Sequence, residues 1–422
     1  MALDLHKVAN SLSAMAGELA YSRTEQAEKL GNALKLFNSP ADICALKGKI
    51  ASSKTSWLVA EINQGLNGKY LPLDTPEQFS VLATDGSQID VDRHHGVRCC
   101  LINIGTVMLR YGRNPEAMLQ NHPLLLSREE DLVLRPDEYA PGREMMVEGS
   151  ILGMMRTVEE FNHLAELCAA LPNGANALAL VDGSLIMWSL LSKEYPDYII
   201  DTILDQGVLK HMERIGQLNP ERRVALASYI SFTRSTDVVN ALRVLTCPYE
   251  KADCDRYCAG AEAEARPCAM LDGIHDRDVF WQWLKCSERS EVFASRSKIN
   301  CTRYGKQRVY FYYLKTSDEV ARIEIPEWVA QDEELLKLSH SLVVRQCKKG
   351  QGYPVALSEA HEQAVVTGAD RENFYSLMEE YLTGSKLLVS VSAKSLSKKT
   401  RWSYCRLVLK IYFAGEEIGS KR

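Results

Sequence analysis

Apolar positions recur at intervals of three and four through residues 1–70, most clearly in VANSLSAMAGELAYSRTEQAEKLGNALKLF, and predict helices there. Over 79–112 the period changes. FSVLATDGSQIDVDRHHGVRCCLINIGTVMLRYG holds two β-branched runs separated by His-His-Gly, which predicts an antiparallel hairpin. A Pro-rich, acidic connection over 113–143 contains HPLLLSREEDLVL, a candidate third strand. A helix is expected from Glu144 to Ala170, then the loop LPNGAN, the short strand ALALVD (177–182) and helices over 185–217. RRVALASYIS (222–231) reads as a buried strand, and the helix in STDVVNALRVL opens with a Ser/Thr/Asp cap cluster. Strands resume at 308–315 and 320–326, and helices are predicted at 331–346, 357–367 and 371–383.

One tripeptide does not suit this pattern. Asp-Gly-Ser interrupts the first strand at Asp85 and returns at the end of the strand ALALVD, at Asp182. Taken singly, either copy is a favoured turn. The order of elements suggests more. Hairpin, strand, helix, strand, helix is the order of a ribonuclease-H-like α/β fold, a mixed sheet flanked by helices. Its first and fourth strands are neighbours, so Asp85 and Asp182 would meet. A glycine after each aspartate lets phosphate and metal approach the backbone. Two adjacent carboxylates resist joint ionisation unless a divalent cation neutralises them, and oxygen donors suit Mg²⁺ or Mn²⁺.

A third carboxylate is expected from the intervening helix. Its apolar face is formed by Ile151, Met154, Met155, Val158, Phe161 and Ala165. Glu159 borders that face, as do Glu148 and Glu166, whereas Glu160 points nearly opposite. The helix alone leaves the choice open; a position about twenty residues before Asp182 favours Glu159, with Glu160 the alternative.

Composition narrows the class. No run approaches the ~18 apolar residues of a membrane span, and the acidic, polar N-terminus does not resemble a secretory signal. Twelve cysteines then read as free, buried or metal-bound thiols in a cytoplasmic protein. The formal net charge is −5, but residues 384–422 carry nine Lys/Arg against two Asp/Glu, a net +7 that leaves −12 elsewhere. Residues 289–308 hold six basic residues and one acidic. Such a distribution suits local phosphate contact and a protein partner elsewhere; Lys298, Arg303, Lys306 and Arg308 are the candidate backbone contacts.

TDGSQ, LVDGSLI, ASYISFTRSTDVVNAL, RIEIPEW and GYPVALSEAHEQAVVTGADRENFY, in that order, resemble the NurA nuclease family over roughly 78–383. The resemblance implies a ribonuclease-H-like, Mn²⁺-dependent DNA nuclease (a 5′–3′ exonuclease, a single-strand endonuclease or both). It would work in end resection and repair with a HerA-type hexameric ATPase. It also implies catalytic and metal-binding roles for Asp85, Glu159, Asp182 and His361, with Tyr353 a further catalytic residue, and a homodimer. A catalytically silent adaptor of such an ATPase, or an RNA-directed nuclease of the same fold, are the alternatives. The expected organisation is an N-terminal helical region (1–75), a nuclease domain (76–383) and a basic extension (384–422).

One segment is not required by that resemblance. TCPYEKADCDRYCAGAEAEARPCAM places Cys247, Cys254, Cys258 and Cys268 within 22 residues, spaced C-x6-C-x3-C-x9-C, inside an insertion spanning 247–275. Four thiols so close suggest a structural Zn²⁺ site or an iron–sulfur cluster. Cys99 and Cys100 read as small core residues.

Overall fold

The computed structural model describes residues 4–39, 42–90, 98–136, 144–191 and 195–385. The predicted His-His-Gly turn, and all of the basic extension beyond Ser385, lie outside them. Among the described residues, eleven strands form: β1 (Glu61–Ile62), β2 (Phe79–Asp90), β3 (Cys100–Tyr111), β4 (Glu116–Leu126), β5 (Val133–Leu134), β6 (Met145–Met146), β7 (Asn176–Asp182), β8 (Arg223–Ile230), β9 (Phe293–Ala294), β10 (Val309–Lys315) and β11 (Val320–Pro326). Nine build one sheet in the order β1-β9-β10-β11-β8-β7-β2-β3-β4, and β5 and β6 pair separately.

The half from β4 to β8 has the ribonuclease-H-like arrangement expected from the sequence. Strands β2, β3 and β4 are antiparallel neighbours, while β7 joins the other side of β2 in parallel and β8 follows in parallel. β4 confirms a strand inside the 113–143 connection. β11, β10, β9 and β1 extend the sheet with antiparallel pairs.

Alternation along the strands sends side chains into two cores. Leu82, Ala177, Ala179 and Val181 face one layer. It holds α4 (Gly149–Ala169) and a continuous helical run formed by α5 (Asp197–Ile200), a π-helical stretch (Asp201–Leu209) and α6 (Lys210–Gln217). Val81, Ala83, Leu178 and Leu180 face the other layer, made of α12 (Glu333–Lys349) and α13 (Val355–Ala364).

A third cluster joins the N-terminal helices α1 (Leu5–Asn38) and α2 (Ile43–Ser52) to α7 (Asp237–Thr246), α9 (Asp276–Trp283) and the outer strands, through Phe37, Leu46, Ile50, Val238, Phe280, Phe293 and Tyr313. The last helix, α14 (Gly368–Gly384), opens on a capping box made by Thr367 and Asp370. The short helices α3 (Glu129–Leu132), α8 (Cys254–Tyr257), α10 (Lys298–Thr302) and α11 (Glu327–Ala330) punctuate the loops.

Candidate active site

The first Asp-Gly-Ser does not interrupt its strand. β2 pairs with β3 without a break from Phe79 to Asp90, with Asp85 opposite Gly105. Its parallel register with β7 runs to Thr84 opposite Val181, which sets Asp85 and Asp182 side by side at the next step, on strands about 4.8 Å apart. Both occupy the alternate position to Thr84 and Val181, so both side chains aim toward the α12 and α13 layer. The expected convergence on one face is what the fold delivers.

Glycine admits the neighbours that complete the cluster. A Cβ at Gly105 would stand 2.3 Å from the Ala360 carbonyl oxygen and 2.6 Å from the Ala364 amide. With hydrogen there instead, α13 lies directly against the hairpin. Ser87 Oγ donates to the Ala364 carbonyl at 2.5 Å, and Asn103 Nδ2 donates to the same oxygen at 2.9 Å. Held this way, His361 places Nδ1 2.7 Å from Asp85 Oδ2. The other Asp85 oxygen accepts from the Gly86 amide at 2.8 Å.

Asp182 ends β7, and Gly183 turns the chain with a φ of 85° while its amide donates to the Tyr229 carbonyl on β8. Ser184 Oγ donates to Glu324 on β11 at 2.7 Å. In both copies of the motif the aspartate faces the cluster and the serine ties down an adjoining element. Glu324 is in turn held by buried Arg322, which also pairs with Asp237.

Tyr353 comes from the turn between α12 and α13, where Gln351 and Gly352 have φ of 54° and 110°. Its ring packs edge-on against Tyr229 at 5.3 Å, and its hydroxyl donates to Asp182. Burial raises the Asp182 pKa and the like charge of Asp85 raises it further, against the Tyr353 hydroxyl, the Gly183 amide and His361. Burial beside Asp182 also holds the Tyr353 phenol well above its ordinary value.

The helix carboxylate nearest these groups is Glu160, not Glu159. Glu160 is 7% exposed and lies over the space left by Gly86, where an added Cβ would meet its Oε1 at 2.6 Å. Thr84 Oγ1 donates to its carbonyl at 3.0 Å, and Arg156 pairs with its carboxylate at 3.1 Å. Burial first, then the charges of Asp85 and Asp182, push its pKa to about 8 against the pull of Arg156. Glu159 turns away to Asn162 and His163, at 3.3 Å and 3.9 Å.

The reason is packing. α4 is pressed between the sheet and the Asp197–Gln217 helical run, so Val158 meets Gly207 on one side while Glu160 meets β2 on the other. The middle of its apolar arc therefore does not mark the sheet-facing side. Isolated glycines at 86 and 105 were the available signal of close approach on this hairpin.

The basic candidates are placed apart from the cluster. Arg303 is committed to Asp197, Asp201 and Asp205, and Arg308 to Glu61. Lys298 and Lys306 are exposed. Val309, next to Arg308, sits three positions along the sheet from Tyr312, the residue level with Asp182 through Ile323 and Tyr229.

Cys247 caps the end of α7, Cys254 opens α8 and Cys258 caps its end, and Cys268 caps a short 3-10 turn; all four are free and half-buried. Cys99 and Cys100 are buried, as expected. Among the described residues no three His, Cys, Asp or Glu groups are placed to hold a metal ion. The donor chemistry at the first pair suits a hard divalent cation, since Asp85 and Asp182 present two carboxylates at one level, while Glu160 reaches β2 beside Gly86 from the α4 side.

The NurA domain matches residues 79–366. The structure is similar to the NurA nuclease from Sulfolobus solfataricus at 11% identity, with 90% of this chain and 98% of that chain covered and a TM-score of 0.45. It is also similar to the prototype foamy virus protease–reverse transcriptase at 16% identity, over 37% of this chain and 18% of that chain, with a TM-score of 0.20. No curated protein matches. No described helix is long and apolar enough to cross a membrane. With its own domain match covering most of the chain and Asp85, Asp182, Tyr353 and His361 gathered at one point, the chain belongs to the NurA family.

Proposed function

We propose that the protein is a metal-dependent DNA nuclease, cutting phosphodiesters as a 5′–3′ exonuclease, a single-strand endonuclease or both. Family membership supports the nuclease class. The observation that carries the rest is the placement of Asp85 and Asp182 at one level and on one face of adjacent parallel strands. In this reading Asp85 and Asp182 hold Mn²⁺ or Mg²⁺ with His361 at the rim, and Glu160 completes the shell from the α4 side once it leaves Arg156. The bound cation would supply Lewis acidity to the scissile phosphate and acidify a water.

The side chains do the rest. Asp85 orients His361 through Nδ1, leaving Nε2 on an exposed ring free to pass a proton to the departing oxygen. Tyr353 stays a neutral phenol and steadies the Asp182 carboxylate. Arg156 holds the Glu160 carboxylate beside Gly86 until a cation competes for it.

Replacing Asp85 or Asp182 with Asn should lower Mn²⁺-dependent digestion of linear DNA by ~10³-fold or more while the thermal transition persists. Undiminished digestion would remove the assignment. Parallel assays on RNA separate a DNA enzyme from an RNA-directed one. Work with a HerA-type ATPase in end resection, and a homodimer, belong to the same proposal by family resemblance; co-sedimentation with such an ATPase tests both.

For the cysteines we propose a separate structural site for Zn²⁺ or an iron–sulfur cluster. No described residue from 253 to 270 is buried, so the segment lacks a core of its own. Small coreless segments commonly depend on such a staple. Arg243 binds the Leu271 carbonyl and Asp272, and Tyr249 stacks on Tyr257 at 3.8 Å, drawing the Cys247, Cys258 and Cys268 segments together. Elemental analysis should find about one zinc, or several irons with visible absorption, per chain. Metal-free protein with four titratable thiols would refute it.

A further inference from the structure

Phe232 stands where the chain leaves β8, with a φ of 43°. A bulky side chain in the left-handed region is strained. The residue is 64% exposed, so burial does not offset that strain. The conformation is held instead by Glu319, itself 7% exposed, whose carboxylate accepts from the Tyr229 hydroxyl at 2.8 Å, the Ser231 hydroxyl at 2.8 Å and the Phe232 amide at 2.7 Å. Arg277 fixes the Phe232 carbonyl at 3.1 Å. A buried carboxylate with three donors thus keeps an aromatic ring in solvent.

The same contacts lead back to the cluster. Tyr229 is the register partner of Asp182, three residues before Phe232, and it packs on Tyr353, which donates to Asp182. Beside Phe232 a cavity of about 280 Å³ is lined by Arg277, Trp281 and Glu319. Trp281 is 40% exposed and carries the Lys315 ammonium 4.3 Å over its ring. Exposed aromatic rings beside cations on one cavity wall are features by which unpaired bases are held, with little regard to sequence.

We propose that Phe232 and Trp281 form a stacking platform for the unpaired end of a nucleic-acid strand, directing its backbone toward Asp85 and Asp182. The proposal rests on the nuclease reading of that cluster. Asp278 and Asp318 line the same cavity, so stacking, rather than pairing with phosphates, carries its affinity. A duplex, whose bases are already stacked, gains nothing from it.

The test is fluorescence anisotropy of a labelled oligothymidylate with the full chain, in EDTA to stop turnover. Phe232→Asn, which tolerates the left-handed backbone, and Trp281→Ala should each weaken binding about tenfold, Phe232→Trp should restore it, and a blunt duplex should be unaffected. Phe232→Gly should lose the same affinity while its melting temperature holds or rises, because the strain is relieved. Unchanged oligothymidylate binding in Phe232→Asn and Phe232→Gly, or equal losses on duplex, would overturn the platform. Failure of the nuclease reading would show separately, as persistent digestion by Asp85→Asn.

Discussion

Glu159 and Glu160 are consecutive, chemically near-identical and about 100° apart on one helix, yet only one lies near Asp85 and Asp182. Glu160→Gln should cut Mn²⁺-dependent cleavage by ~10²-fold or more. Glu159→Gln, which loses contacts to Asn162 and His163 alone, should stay within about threefold; single-turnover rates on one labelled strand would rank them. The reverse order would return the role to Glu159. Arg303 is a similar case: a basic residue read as a phosphate contact is occupied by three aspartates, so Arg303→Ala should affect stability before DNA affinity.

At the scale of elements, two glycines set how closely helices approach the hairpin. An alanine at Gly105 would drive its Cβ into α13 backbone, which moves only if the helix lifts. Gly105→Ala should cost about 1–3 kcal/mol or more and separate His361 from Asp85. At Gly86 the obstruction is side chain rather than backbone, the Glu160 Oε1 at 2.6 Å and the Arg156 Cγ at 2.8 Å, so the ion pair rather than the helix must shift. Gly86→Ala should therefore melt close to the parent while losing most activity. Thermal melts alongside nuclease assays distinguish the two, and a large stability loss at Gly86 would contradict the account of close approach. Buried Arg322 ties β11 to α7 between Asp237 and Glu324, so Arg322→Ala, which leaves both carboxylates without it, should cost ~3–5 kcal/mol.

Across the whole molecule, buried acids make stability depend on pH. Glu160 rises to about 8 and Asp276, enclosed near Asp237, to about 7, from ordinary values of 4.5 and 3.8. A raised acid binds its proton more tightly folded than unfolded. Its contribution is complete below the unfolded value and is lost as pH climbs through the folded one, at up to ~1.4 kcal/mol per pH unit for each group. Without divalent cations the melting temperature should fall between pH 5 and 8, and Glu160→Gln or Asp276→Asn should flatten that fall. A curve with the same slope in both variants would contradict these assignments. The N-terminal helices, expected as a separate region, share one cluster with α7, α9 and the outer strands, so Phe37→Ala should unfold the outer half of the sheet along with them.

The order of the long strands and helices from β2 to α14, the third strand within the connection, and the meeting of Asp85 with Asp182 were legible in the residues, because side-chain period and element order constrain a sheet strongly. The helices expected through residue 70 instead end at Ser52, and the two-residue strands β1 and β9 that join the sheet are too short to show a period. Tyr353 and His361 were legible only through motif resemblance. Three features waited for the tertiary structure. Which glutamate faces the sheet depends on α4 being gripped from two sides, a fact no single helix encodes. Whether a basic residue is free depends on which distant acids fold against it. And the strained Phe232 exists because Glu319, 87 residues away in sequence, reaches its amide. Local periodicity determines elements; long-range contact decides which of their side chains share a site.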